Sequence, residues 1–400
     1  MQEKTLAWLT SPAGRSALVA TTYDAGDPLR VVAALRAAGH DPEQAAALAT
    51  QARLREQARP RLGRRVDHWL FTDDGAQQVT RPEVARHRAD RYRTSGASCV
   101  VDLGCGLGSD LAALAEVAPA TGVERDPTTA ALAAFNVPEA TVRNDTVESF
   151  AQSRAWAEGT AVFADPARRS DGRRQLDPRR WSPPLQWVMD LPLQDVGVKV
   201  APGIDHDAVP DGWETEVVSS DGDVVEAALY RGSLRTSDAR RRATVLRRLV
   251  RDDPDAGFTS HTLTDQDLPE GAAPVGPVGT VLYEPDKAVI RASLVTAVAD
   301  HVNGRLLDPT IAYISADTLV QTPYAVAYWI DDVLPFSVKT LRSELRSRGI
   351  GAVTIKKRGS AVDPADLRRQ LRLDPNSRTH IVVVLTRLAG QRVVLLARPS

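Results

Sequence analysis

Between Ser98 and Asp165 four strand-like runs each end on a carboxylate, and helical segments lie between them. Cys99-Val100-Val101-Asp102 leads into Leu103-Gly104-Cys105-Gly106-Leu107-Gly108. ATGVE ends on Glu124, TVRND on Asp145 and AVFAD on Asp165, about twenty residues apart in each case. SDLAALAEVA and PTTAALAAFNV, between the runs, carry helical spacing. Strands alternating with helices in this way give a parallel, doubly wound α/β sheet. Such a sheet binds its ligands beyond the carboxyl ends of its strands, and the four carboxylates fall there.

The rest of the 400 residues divides around this segment. Residues 1–95 form an N-terminal helical region: VVAALRAAGH and PEQAAALATQARLREQAR repeat apolar residues at three and four. Thr80 is expected to cap a helix with Pro82 in its first turn. Residues 96–323 form the sheet domain, completed by WVMDL, VGVKVAPG, WETEVVSSDGDVVEAALYRG and TVLYEPDKAVIRASLV, with a hairpin turn at SSDGD. The arginine- and proline-rich stretch 166–185 is expected to be a long loop, and such loops are usually functional or mobile. Residues 324–400 form a small β-α-β-α-β-β module, with Asp363 capping its second helix ahead of Pro364 and a hairpin turning at Ala389-Gly390.

A net charge of −1 conceals an asymmetry, because from Phe336 onward about fourteen Lys and Arg face about four Asp and Glu. That tail suits a polyanionic partner or is a solvated arginine-rich surface. Two cysteines, Cys99 and Cys105, are too few for a disulfide framework, and no metal-type Cys/His spacing occurs, so no metal is expected. No apolar run has the length of a membrane span, and the start, MQEKTLAWLTSPAG, lacks a leader pattern. The expected compartment is a reducing cytoplasm, with no membrane partner.

Gly104, Gly106 and Gly108 follow a buried strand and open a helix, letting a ligand approach the backbone closely. Asp102, two residues before the first of them, would repel a diphosphate and attract an ammonium group. DLGCGLG resembles the first motif of class I S-adenosylmethionine-dependent methyltransferases. The resemblance implies a Rossmann-like sheet and S-adenosylmethionine as cofactor. Asp102 then faces its methionine end, Glu124 binds the ribose hydroxyls, and Asp145 with the adjoining Thr146 lies beside the adenine.

Asp165-Pro166-Ala167-Arg168 resembles the (Asp/Asn)-Pro-Pro-x motif of methyltransferases acting on planar nitrogens, with Ala167 in place of the second proline. In that family the side chain and the following carbonyl accept hydrogen bonds from an amine and aim its lone pair at the methyl group. Asp165, Pro166 and Arg168 are the catalytic candidates on this basis. The Asp-Pro-x-Arg form also resembles RNA C5-methyltransferases, which attack the base with a cysteine; neither Cys99 nor Cys105 is placed to do so. Trp181-Ser182-Pro183-Pro184 is a rival for the same role, or a turn that starts WVMDL. Arg169 and its neighbours Arg173, Arg174, Arg179 and Arg180 could hold phosphates or form a solvated loop. Lys199 and Glu226 could line the site, Lys199 as a substrate contact, or sit at an edge. Gln78 and Thr80 fall where related enzymes bring an N-terminal segment over the cofactor.

The C-terminal module resembles the THUMP-like unit of one group of bacterial methyltransferases, through FSVK (336–339), LRSRGI (345–350) and IKKRG (355–359). THUMP domains proper bind RNA, so the resemblance implies an RNA partner, with Lys356, Lys357 and Arg358 as phosphate contacts. Aromatic residues are scarce there, which argues against base stacking. The function implied is methylation of an exocyclic or ring nitrogen of a base in structured RNA, rRNA or tRNA. Three alternatives stay open: a methyltransferase for a small molecule or protein, an RNA-binding factor with a vestigial pocket, and a nicotinamide oxidoreductase, which Asp102 disfavours.

Overall fold

A computed structural model describes residues 3–153, 156–170, 173–175, 177–250 and 253–400, and of 169, 170, 173 and 174 the backbone only. The side chains of Arg169, Arg173 and Arg174 therefore lie outside the described residues. The chain divides into two compact units, one of residues 1–216, 226–238 and 246–260, the other of residues 217–225, 239–245 and 261–400.

The first unit opens with helices α1 (Glu3–Thr10), α2 (Pro12–Ala20), α3 (Pro28–Ala37), α4 (Pro42–Leu62), α5 (Asp73–Gln78) and α6 (Pro82–Ser95). Their starts are locally encoded: Asp41 and Gln44 close a capping box ahead of Pro42, and Thr72 caps α5 through the Gly75 N–H. Thr80 does not cap α6. With Pro82 in the first turn the cap position falls on Arg81, which makes no side-chain cap bond, and the Thr80 hydroxyl turns inward to Asp110.

There follow β1 (Cys99–Leu103), α7 (Ser109–Ala115), β2 (Ala120–Glu124), α8 (Pro127–Asn136), β3 (Thr141–Asn144), α9 (Val147–Gln152), β4 (Thr160–Ala164), the two-residue strands β5 (Arg169–Ser170) and β6 (Arg173–Arg174), α10 (Leu185–Met189) and β7 (Asp195–Val200). Strands β7-β4-β1-β2-β3 lie side by side and parallel, so the order reverses between β1 and β4. The sheet continues beyond β7 through β8 (Trp213–Ser220), β9 (Asp223–Arg231), β10 (Arg241–Arg248) and β11 (Phe258–Thr264), in the order β11-β10-β8-β9-β7. The β8–β9 turn is at Asp221-Gly222, both with positive φ, as a two-residue hairpin requires.

Two expected strands are corrected. WVMDL lies across α10 and its end, because a short apolar run carries no period that separates strand from helix. VLYEP forms β12 (Val281–Pro285), which belongs to a second sheet, and KAVIR is helix α11 (Lys287–Arg291). A strand buried on both sides does not reveal in its own sequence which sheet it joins.

The second unit adds α12 (Val295–His301), β13 (Arg305–Asp308), β14 (Ile311–Ala316), β15 (Ala325–Pro335), α13 (Val338–Ser347), β16 (Ala352–Lys357), α14 (Pro364–Leu371), β17 (His380–Leu388) and β18 (Gln391–Pro399). Its sheet runs β13-β14-β12-β15-β18-β17-β16. From β15 onward the expected β-α-β-α-β-β order is present, with Asp363 capping α14 and Ala389-Gly390 in the β17–β18 turn. Alternate residues of β17 and β18 serve two cores. Ile381, Val383, Val394 and Leu396 pack with Leu341, Leu345, Leu367 and Leu371 of α13 and α14. Val382, Val384 and Leu395 pack on the other side with Leu282, Leu307, Ile311 and Tyr313.

Candidate active site

The carboxyl ends of β4, β1, β2 and β3 are joined by backbone hydrogen bonds that carry the predicted residues to one edge. Asp165 N donates to Leu103 O at 3.3 Å, Gly104 N to Val123 O at 2.9 Å, and Asp145 N to Glu124 O at 3.2 Å. All three glycines of the turn have positive φ, +84°, +54° and +89° for Gly104, Gly106 and Gly108. A Cβ on Gly106 would meet nothing within 4 Å, whereas one on Gly108 would come within 2.7 Å of Val137 Cγ2. Gly106 thus faces open space where a ligand can lie against the backbone, and Gly108 lets α7 pack closely on the end of α8.

Glu124 is half-buried and accepts from Gly106 N at 3.2 Å and Asp126 N at 2.9 Å, which fixes its carboxylate at the turn. Asp145 accepts from Thr146 N at 2.8 Å, and the Thr146 hydroxyl caps α9 by accepting from Ser149 N at 3.2 Å. Asp102 differs from these. It is 1% exposed, and neither carboxylate oxygen has a hydrogen-bond partner. Burial, then the neighbouring Asp110 and Asp165, hold its pKa well above the usual aspartate range, against the opposing pull of Arg88 and Lys199. An orphaned buried carboxylate beside an open glycine turn is the arrangement that an incoming cationic group would satisfy.

Behind the glycine turn lies a cluster of charges. Arg88 of α6 is fully buried, spans Asp110 and Glu226, and stacks its guanidinium 4.2 Å over the Phe163 ring. Asp110 also accepts from the Thr80 hydroxyl at 2.7 Å. Lys199 on β7 donates to Asp165 Oδ2 at 2.8 Å and approaches Thr80 Oγ1 at 3.4 Å. Burial lowers the Lys199 pKa, but Asp165, Glu226 and Asp110 outweigh it and hold it above the ordinary value, so this ammonium stays charged. Burial raises the Glu226 pKa, opposed by Arg88 and Lys199.

Asp165 is about one-third exposed and Pro166 is buried. Ala167 pairs with Ser182 through both backbone bonds, N to O at 2.8 Å and 3.1 Å, so the Ser-Pro-Pro segment folds back onto Asp-Pro-Ala-Arg as its neighbour. Arg168 lies 5.9 Å from the ring of buried Trp181, whose Nε1 donates to Gln175 O. Burial pushes the Cys105 thiol up, with Asp102 and Glu124 adding to the effect, which keeps it a poor nucleophile.

The N-terminal helices are fastened to the same turn. Asn136 accepts from Leu70 N at 2.8 Å and donates to Leu70 O at 3.0 Å and Leu107 O at 3.1 Å, while Gln51 pairs with both backbone groups of Phe71. Arg88 and Asp110 went unnoticed in the sequence. A signal was present for the first: Arg88 falls in the stripe Val84, Ala85, Ala89, Tyr92 that α6 buries.

Lys356, Lys357 and Arg358 belong to the second unit and have internal partners. Lys356 and Arg358 share Glu284, at 2.5 Å and 3.6 Å, and lie over the Tyr328 and Tyr313 rings. Lys357 donates to Val362 O at 3.0 Å and is exposed.

The THUMP domain-like family matches residues 325–399, and a domain family of unknown function matches residues 3–58. The chain is 37% identical over 336 residues, 83% of its own length and 87% of the other's, to an uncharacterized S-adenosylmethionine-dependent methyltransferase of Mycobacterium tuberculosis, in both strain CDC 1551 / Oshkosh and strain H37Rv. In fold it matches a protein from Porphyromonas gingivalis W83 described as a candidate methyltransferase, with a TM-score of 0.75 and 20% identity, over 95% of this chain and 100% of that one.

Proposed function

The chain belongs to the S-adenosylmethionine-dependent methyltransferases, and from that premise we propose that it methylates an exocyclic or ring nitrogen of a base in structured RNA, rRNA or tRNA. The observation that carries this reading is the carboxylate of Asp165. It is partly exposed at the sheet's switch point, ionically paired on Oδ2, and followed by a buried proline. Such a group accepts a hydrogen bond from a neutral N–H donor and repels an anionic acceptor.

On this reading Asp102 receives the ammonium end of the cofactor, Glu124 the ribose, and Asp145 with Thr146 the adenine side. The orphaned oxygens of Asp102 and the open face of Gly106 fit that occupant. When bound, the cofactor supplies an electrophilic methyl group on sulfur. Asp165 and the Pro166 carbonyl orient the acceptor nitrogen so that its lone pair faces that methyl, and most of the rate gain is positioning. Arg168, beside Trp181, flanks the acceptor. The C-terminal unit, basic by about ten charges from Phe336 onward, supplies phosphate contacts. Of its three predicted cations, Lys357 is the exposed one.

A small-molecule or protein acceptor is the second reading, and the ion pairs of Lys356 and Arg358 with Glu284 favour it, since they leave less free charge for a phosphate backbone. Methyl-labelled cofactor added to extract with the purified protein, followed by separation of RNA, protein and metabolite pools, decides between them. Label in RNA supports the first; label in protein or metabolites alone overturns it.

A further inference from the structure

Asp165 is held by a lysine whose place is itself fixed from behind. The Lys199 ammonium lies 2.8 Å from Asp165 Oδ2, with its side chain 11% exposed, and reaches the Thr80 hydroxyl at 3.4 Å. Thr80 is in turn bound to Asp110, and Arg88 joins Asp110 to Glu226. Lys199 enters from β7 and Thr80 from the segment before α6, so elements far apart in sequence meet at the ammonium that holds Asp165 Oδ2. A lysine in this position is poorly suited to grip a phosphate, because its ammonium already faces carboxylates on the buried side.

We propose that Lys199 is a positioning residue: it takes up Asp165 Oδ2, fixes the side chain's orientation, and leaves Oδ1 as the acceptor for the substrate's N–H. The proposal rests on the reading that Asp165 receives the methyl acceptor. It assigns Thr80, and through it the N-terminal helical region, a share in setting the active-site geometry. Without Lys199 the carboxylate turns freely between its two oxygens and towards solvent, and a displacement of about 1 Å at such a site costs on the order of 100-fold in rate.

The test is a double-mutant cycle on the full chain, with Lys199→Met, Asp165→Ala and the pair, plus Lys199→Arg. Single-turnover methyl transfer is measured with total RNA, and S-adenosylmethionine affinity by calorimetry. The expected result is a loss of about 100-fold in rate for Lys199→Met, cofactor affinity within a few-fold of wild type, partial recovery in Lys199→Arg, and no further loss when Lys199→Met is added to Asp165→Ala. A merely structural or phosphate-binding lysine would cost the same factor in both backgrounds, and that result overturns the proposal. If wild type transfers no methyl to RNA, or Asp165→Ala is as fast as wild type, the functional reading fails. Thermal melting of wild type, the two single variants of the cycle and the pair then still reads the coupling. Coupled losses, with the double variant melting no lower than the weaker single, keep Lys199 as the residue that holds Asp165; additive losses reject it.

Discussion

Replacing Asp102 by asparagine should make the protein more stable and less able to bind its cofactor. Asp102 is buried with both oxygens unpartnered, and its pKa is held well above the ordinary aspartate range by burial and by Asp110 and Asp165. A carboxyl group raised in the folded state contributes stability below its unfolded pKa and loses it as pH rises through the folded value. The cost at neutral pH is bounded, because the side chain can escape by taking up a proton. An ordinary aspartate titrates about three units below pH 7, and each unit is about 1.36 kcal/mol, so the cost is at most about 4 kcal/mol. Asparagine has the shape of the protonated acid and removes that cost. Melting at pH 7 should therefore rise in Asp102→Asn, by up to roughly 8 °C at about 2 °C per kcal/mol for a unit of this size, and the gain should shrink towards zero near pH 4. Added S-adenosylmethionine should stabilise wild type strongly and the variant weakly, and wild-type affinity should fall as acid protonates Asp102. An unchanged melting temperature at pH 7, or an equal gain at pH 4 and pH 7, would refute the reasoning.

Arg88→Ala leaves Asp110 and Glu226 buried without their cation and should cost about 3–5 kcal/mol in denaturant unfolding; Asp110→Asn with Glu226→Gln in the same chain should recover much of it. Gly108→Ala forces a left-handed alanine whose Cβ meets Val137, and should cost about 1–3 kcal/mol and weaken cofactor binding in calorimetry. Asn136→Leu removes all three hydrogen bonds to Leu70 and Leu107, so hydrogen exchange should show faster opening of residues 69–80, with a loss of about 1–3 kcal/mol.

The parallel half of the sheet was legible because its information is local. Each strand from β1 to β4 ends at a carboxylate or a glycine turn, and the parallel order follows from helices between strands. The start of α14 and the two hairpin turns were legible for the same reason. Thr80 misled, since the same hydroxyl chemistry serves a cap or a buried carboxylate, and only the third dimension brings Asp110 to it. WVMDL and VLYEP misled because short apolar runs specify burial without specifying a helix, a strand or a sheet. The charge cluster was hidden by distance, with Arg88, Asp110 and Glu226 separated by 22 and 138 positions from their partners. Lys356 and Arg358 looked available in sequence because Glu284, 72 positions from Lys356, could not be placed beside them.

The most direct test of the account compares wild type and Asp165→Ala for methyl transfer from labelled S-adenosylmethionine to total RNA, with cofactor affinity measured in parallel. The account predicts labelled RNA with wild type, a loss on the order of 100-fold or more in Asp165→Ala, and cofactor affinity little changed. Equal transfer by the two proteins, or label appearing only in protein or metabolites, would contradict it.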